Sequence, residues 1–175
     1  MELSQRIQRV ADHQAILEQM ARYIQAVDRL DLALLKYTFH PDGVVRFGIF
    51  DGNAHEFCDF DIPFIRDNLT MGAHRFSTAT IEFHSDTRAV AESYMLGNAA
   101  APTPDGVMLN FPDNMRYEDV WEKRDGVWRM SSRDLVMDWN AFWPYSQRED
   151  GPFAEMRRSR RDTQDPAYAL RAGTL

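Results

Sequence analysis

Residues 115–140 read MRYEDVWEKRDGVWRMSSRDLVMDWN, and the Asp125-Gly126 pair in the middle decides how the second half of the chain is organised. Two runs rich in Val, Trp, Tyr and Met flank a dipeptide suited to the left-handed backbone of a two-residue hairpin turn. This predicts strands over 115–124 and 127–140. Upstream, HRFSTATIEF (74–83) and RAVAESYMLGNA (88–99) are also strand-like, with HSDT between them. The stretch APTPDG (101–106) reads as a loop leading to the hairpin. The second half is therefore a run of antiparallel strands.

The first half has a different period. Leu17, Met20, Ala21, Ile24 and Val27 recur at three- and four-residue steps, which predicts a helix over 4–27 with Ser4 as its N-cap. DLALLKYTF predicts a second short helix capped by Asp31, HPDG (40–43) a turn, VVRFGIF (44–50) a strand, and 56–69 another short helix. Helices first and antiparallel strands after them argue an α+β fold. Residues 1–143 form the expected domain. From 144 to 175 the chain turns polar, with scattered Pro and Arg, and reads as a tail, a lid or an oligomer arm.

Composition narrows the function. The 175 residues carry a net charge of −7, so no basic face for nucleic acid is expected. RRSRR (157–161) is flanked by acidic residues and reads as a solvated tail. The single cysteine, Cys58, excludes an internal disulfide and a multi-cysteine zinc site, and reads as a small half-buried residue. The polar N-terminus and the lack of a long apolar run predict a cytoplasmic chain with no membrane partner. No HExxH, GxGxxG, Walker or GxSxG spacing is present, so neither a metal nor a cofactor is expected.

Three residues stand out. Asp28 continues the helical row 17, 20, 24, 28, and a carboxylate on an apolar row needs a partner. His74 sits where a Gly-containing turn, MGAH, passes into a β-branched and aromatic strand. Arg133 alternates with Leu135, Met137 and Trp139, which points it toward the core face and an anionic partner. Each alone has a plain reading: a helix-end carboxylate served by water, a structural histidine, an edge arginine reaching solvent. Together they can abstract a proton without a metal, because a carboxylate orients an imidazole and fixes its tautomer. A nearby arginine or tyrosine, such as Tyr23, can then stabilise developing negative charge.

The order of RYIQAVDRLDLALLKYTFHPDG, GAHRFSTATIEF, SYMLGN and YEDVWEKRDGVWRMSSR resembles the SnoaL-like branch of the nuclear transport factor 2-like superfamily over roughly residues 10–143. The DGVWRMSSR end and the Asp28-to-His74 spacing look most like its hexachlorocyclohexane dehydrochlorinases, with scytalone and bile-acid 7α-dehydratases as more distant members. The resemblance implies a cone-shaped α+β barrel: a curved antiparallel sheet wrapped round a pocket and closed by the N-terminal helices. It places Asp28, His74 and Arg133 on the Asp, His and Arg of the dehydrochlorinase site. Tyr23 falls where the bile-acid dehydratase has a tyrosine. Tyr117 and Val45 fall on pocket-lining positions, and Phe47, Ile65 and Trp139 are further candidate walls.

In functional terms the resemblance implies a cofactor-free lyase, and the 12% aromatic content, with Phe39, Phe47, Phe50, Trp139, Phe142 and Trp143 near the expected pocket walls, points to an aromatic or polycyclic small molecule. The eliminated group is water, another heteroatom group, or formaldehyde from a lignin-derived diaryl compound. A polyketide cyclase, a ketosteroid-type isomerase and a non-catalytic binding or association module are the alternatives. A homo-oligomer is expected, a trimer ahead of a dimer, because an open sheet face needs cover.

Overall fold

The computed structural model describes residues 2–173. The first helix, α1, runs Leu3–Arg29. Its N-cap is Glu2 rather than the expected Ser4: the Glu2 side chain accepts a backbone amide of the first turn, and the Gln5 side chain accepts the Glu2 amide at 2.9 Å. This reciprocal capping satisfies two orphan donors and starts the helix earlier. The buried row is Asp12, Ile16, Gln19, Met20, Tyr23, Ala26 and Val27, one step round from the expected row; Ala21 is exposed. Leu30, at φ 55°, ends the helix in the left-handed region.

Helix α2 (Leu32–Tyr37) begins at Asp31, whose side chain accepts the Leu34 amide at 3.0 Å. Helix α3 (Ala54–Asn68) begins at Asn53, which accepts the amides of His55 and Glu56. Both short helices thus start where a side-chain acceptor replaces missing backbone partners.

The strands are β1 (Phe39–Arg46), β2 (Asp51–Asn53), β3 (Met71–Phe83), β4 (Arg88–Pro102), β5 (Met108–Arg124), β6 (Val127–Asn140) and β7 (Trp143–Pro144). Asp125 and Gly126 both have positive φ, 51° and 79°, as the predicted hairpin turn requires. HPDG is not a free turn. It lies inside β1 at a register shift between Phe39 and Val44, and a Cβ on Gly43 would meet the carbonyls of His40 and Met130 at 3.0 and 3.2 Å. A bulge takes up the residues that the sequence assigned to a turn.

The sheet order is β2-β1-β6-β5-β4-β3, with β7 on β5. Most pairs are antiparallel, but β1 runs parallel to β6. The two edges, β2 and β3, do not pair with each other, so the sheet curves without closing into a barrel. The helices pack into its hollow.

Registers stack the concave side chains in rows. From the open end inward these are His74–Gly97–Asp113, Phe76–Met95–Met115, Ala79–Ser93–Tyr117–Leu135, Ile81–Ala91–Asp119–Arg133, and Phe83–Ala89–Trp121–Met130. The innermost rows are filled by Trp121, Trp128 and Met130 and form the core with α1. Asp12 ties the helix to the hairpin: Trp128 Nε1 and Lys123 Nζ each donate to it at 2.8 Å. Burial would raise the Asp12 carboxyl, and these bonds outweigh it and hold it below its ordinary value.

The segment after residue 144 is folded back on the domain. It contains a 3-10 turn (Gly151–Glu155) and a short helix, α4 (Pro166–Arg171). Asp165 is buried and pairs with Arg29 at 3.1 Å, and Tyr168 donates to Asp31 at 3.0 Å. No helix among the described residues is long and apolar enough to cross a membrane.

Candidate active site

The last turn of α1 and the start of β3 meet at one point. Asp28 Oδ1 lies 2.7 Å from His74 Nδ1, and the Asp28 carboxylate also accepts the His74 backbone amide at 3.1 and 3.3 Å. An ionised carboxylate only accepts, so Nδ1 carries the proton and Nε2 is left with its lone pair. The double grip on ring and backbone fixes the imidazole plane. A carboxylate at a helix C-terminus is poorly placed against the helix dipole. Here cations offset this: Arg29 Nη1 is 4.0 Å from Asp28, and the Arg161 charge lies within electrostatic reach.

Beside His74 is a cavity of about 100 Å³. Asp28, Ile65, His74, Phe111, Asp113 and Arg161 are among its lining residues. Arg161 comes from the folded-back segment. Its guanidinium donates to Ile65 O at 3.1 Å and to Leu69 O, the carbonyls at the end of α3. A cation there complements the helix terminus. Burial pulls the Arg161 guanidinium below its ordinary value, and the Asp28 charge opposes that.

Arg133 occupies a different level. It lies in the row of Asp119, six residues along β5 from Asp113, which is roughly 20 Å of extended chain. Its Nε and Nη2 each donate to Asp119 at 2.8 Å, and both side chains are fully buried. Tyr23 and Tyr117 flank the guanidinium, each ring centroid 4.0 Å away, and meet each other edge to face at 5.7 Å. Burial works against the charge, and Asp119 outweighs it, so Arg133 is held above its ordinary range. Its Nη1 has no partner. Burial pushes both phenols up, so Tyr23 and Tyr117 stay protonated.

The candidate walls divide in the same way. Ile65 lines the His74 cavity. Val45 is fully buried in the core, and Phe47 stacks on Tyr117 at 6.1 Å, deeper in the hollow. Trp139 is 47% exposed and rests against Trp143, outside the hollow. The cause is a bulge. Met137 pairs with Met115 but Trp139 with Asn114, so the strand switches faces between them. Simple alternation from Arg133 fails at that point.

Three groups in or near the site were not among the sequence candidates: Asp113, Asp61 and Arg161. Asp113 falls in FPDNM, which reads as a loop unless β5 is known to begin at Met108. Gly97, inside a strand, was the available signal, since such a glycine marks a close approach. Asp61 is buried on α3, one turn after Phe57 and one before Ile65. Burial pushes its carboxyl up to about 6, against the opposing pull of His74. Cys58 is buried on the same helix, and burial pushes its thiol up to about 12, which makes it a poor nucleophile. Among the described residues no group of three or more histidines, cysteines and carboxylates is gathered so as to hold a metal ion.

The SnoaL-like domain family matches residues 8–134, most of the chain. The protein belongs to the SnoaL-like family. No curated protein matches it. Among solved structures, a scytalone dehydratase-like protein of Novosphingobium aromaticivorans superposes with a TM-score of 0.68 at 20% identity, covering 86% of this chain and 98% of the other. The type 3 hexachlorocyclohexane dehydrochlorinase of Novosphingobium barchaimii gives 0.71 at 17% identity, covering 81% and 99%. A type 2 hexachlorocyclohexane dehydrochlorinase gives 0.70 at 20%, covering 83% and 97%. At these identities the likeness is one of fold.

Proposed function

We propose that this SnoaL-like protein is a cofactor-free lyase in which His74 is the general base. The observation that carries the reading is the Asp28–His74 contact at 2.7 Å beside a cavity. Asp28 holds the proton on Nδ1 and balances the charge the ring takes up when Nε2 accepts a proton. A base so placed contributes roughly 10²–10⁴-fold to rate. The dehydratases and dehydrochlorinases of the same fold support elimination as the reaction class. Tyr23, Tyr117 and the unpartnered Nη1 of Arg133 form a buried polar patch deeper on the concave face, suited to an oxyanion or a leaving group of an extended substrate once the hollow opens to admit it. Aromatic walls such as Phe47 and Phe111 favour an aromatic or polycyclic substrate.

The test is turnover of a panel of β-hydroxy carbonyl compounds, hydroxylated steroids and lignin-type diaryl propanediols, read by mass spectrometry beside His74→Ala. Loss of the mass of water in the wild type alone supports a dehydratase. Loss of formaldehyde supports the carbon–carbon lyase. A product of unchanged mass supports an isomerase or cyclase using the same base. Equal turnover by wild type and His74→Ala refutes the assignment.

A non-catalytic association module draws on a separate observation: the cavity is far smaller than the roughly 300 Å³ at which drug-sized ligand sites begin. We also propose a homo-oligomer, trimer before dimer. Tyr94, Leu96, Trp139 and Trp143 leave large apolar surface exposed, and light scattering after size exclusion measures the assembly.

A further inference from the structure

The His74 row has a gap in its middle. His74 pairs with Gly97, and Gly97 with Asp113, so all three positions face the hollow across adjacent strands. Cross-strand neighbours of this kind sit about 5 Å apart. His74 and Asp113 stand two such spacings apart, and with glycine at the position between them no β4 side chain separates the imidazole from the carboxyl. The space is used: an added Cβ on Gly97 would lie 2.0 Å from Asp113 Oδ1. The carboxyl lies over the glycine and lines the same cavity as His74. Its Oδ1 is buried with no hydrogen-bond partner. The other ionisable groups lining the cavity are Asp28, His74 and Arg161. Asp28 is engaged with His74, and Arg161 with the carbonyls closing α3.

Elimination of an oxygen group needs two proton transfers. A base removes a proton from carbon, and an acid must protonate the departing oxygen, which is otherwise a poor leaving group. The base reading accounts only for the first. Resting on that reading, we propose that Asp113 is the general acid of this site, and that Gly97 is the residue that lets it reach the reacting atoms.

The step balances within the site. Nε2 of His74 bonds the carbon-bound proton. The C–H electron pair becomes the new π bond. The C–O bond breaks toward oxygen, and the Asp113 carboxylic proton moves to that oxygen to give water. His74 is left cationic and Asp113 anionic, facing each other across Gly97. Passage of the proton from Nε2 to Asp113 resets both. Burial raises the Asp113 carboxyl, against the pull of His74 and of the Gly97 amide. The consequence for specificity is that an oxygen leaving group is favoured, because a halide gains nothing from a proton donor.

The test uses two measurements. The first is the infrared difference spectrum of wild type minus Asp113→Asn near neutral pH. A carboxylic acid C=O band lost in the variant supports the proposal, and carboxylate bands alone overturn it; no substrate is needed. The second is turnover of β-hydroxypropiophenone and β-chloropropiophenone above their uncatalysed rates. Asp113→Asn is expected to lose roughly 10²-fold or more on the hydroxy ketone and to change little on the chloro ketone. Gly97→Ala, which displaces the carboxyl, is expected to show the same split. Equal losses on both probes, or none on the hydroxy ketone, overturn the role of Asp113. His74→Ala distinguishes the two levels: it loses both probes if the base reading holds, and if it retains both, that reading fails instead.

Discussion

Asp28–His74 and Asp119–Arg133 are both short acid–base contacts on the concave face, at 2.7 and 2.8 Å. The first sits at the open end, with 23% of the imidazole side chain exposed. The second is sealed, at 1% and 0%. At the open end one ring nitrogen is spent on Asp28 and the other is left over. In the depth the carboxylate is engaged bidentately and the guanidinium is roofed by two aromatic rings. On the function proposed above, the open contact is the one with a lone pair to use; the sealed one holds Tyr23 and Tyr117 beside it and leaves only Arg133 Nη1 without a partner.

Removing the two imidazole nitrogens should separate activity from stability most clearly. His74→Ala is expected to lose roughly 10²–10⁴-fold in turnover. Its thermal midpoint should change little, because the Asp28 bond to the residue 74 backbone amide survives. A variant that unfolds, or one that keeps full activity, would erase the contrast.

The deep pair should behave in the opposite way. Asp119→Asn leaves a buried arginine charge uncompensated and is expected to cost about 3–5 kcal/mol, read by denaturant unfolding. Replacing both partners together, as Asp119→Leu with Arg133→Met, should cost less than Asp119→Asn alone, since no orphan charge remains. A double variant no more stable than the single one would mean that Arg133 does more than neutralise Asp119.

The two regions also differ in how far the sequence reveals them. Asp28 and His74 are local features: a carboxylate in the last turn of a helix and a histidine where a strand begins. Arg133 was legible as an inward arginine, but not its partner, because pairing with Asp119 depends on hairpin register. Two bulges, near Asn114 and near Val120, set that register. The first sends Trp139 to the outer face, where alternation alone would keep it inside. The fold class needed only period and turn chemistry, so helices, strands and the Asp125-Gly126 hairpin were readable. Asp61 and Asp113 were not. A carboxylate on a helix or near a proline looks solvated until the tertiary structure covers it.

Asp61 is within electrostatic reach of His74, Tyr23 and Tyr117, and sharpens the comparison through pH. Its carboxyl is raised from 3.8 to about 6 by burial. Because the folded value is the higher one, its contribution to stability is fully present below about pH 4 and is lost as pH rises through about 6. A rise of that size corresponds to about 3 kcal/mol at most. Asp61→Asn is therefore expected to be more stable than wild type at pH 7, by up to about 3 kcal/mol, and to flatten the decline between about pH 4 and 6. Urea titrations across that range decide it; a decline that persists in Asp61→Asn would place the titrating group elsewhere.

The smallest expected effect on the fold concerns access to the open end. Arg161 closes the cavity by bonding the carbonyls that end α3, and two such bonds are worth roughly 0.5–1.5 kcal/mol each. Arg161→Ala should thus cost about 1–3 kcal/mol and leave the sheet intact. Its effect on turnover should depend on substrate size. A small β-hydroxy ketone demands less of the present volume of about 100 Å³ than a two-ring compound does. The variant should lower KM for the larger compound and leave kcat for the smaller one within a few-fold. An equal change for both sizes would make Arg161 part of the charge balance around Asp28 rather than a gate, and the open end would then owe its incompleteness to His74 alone.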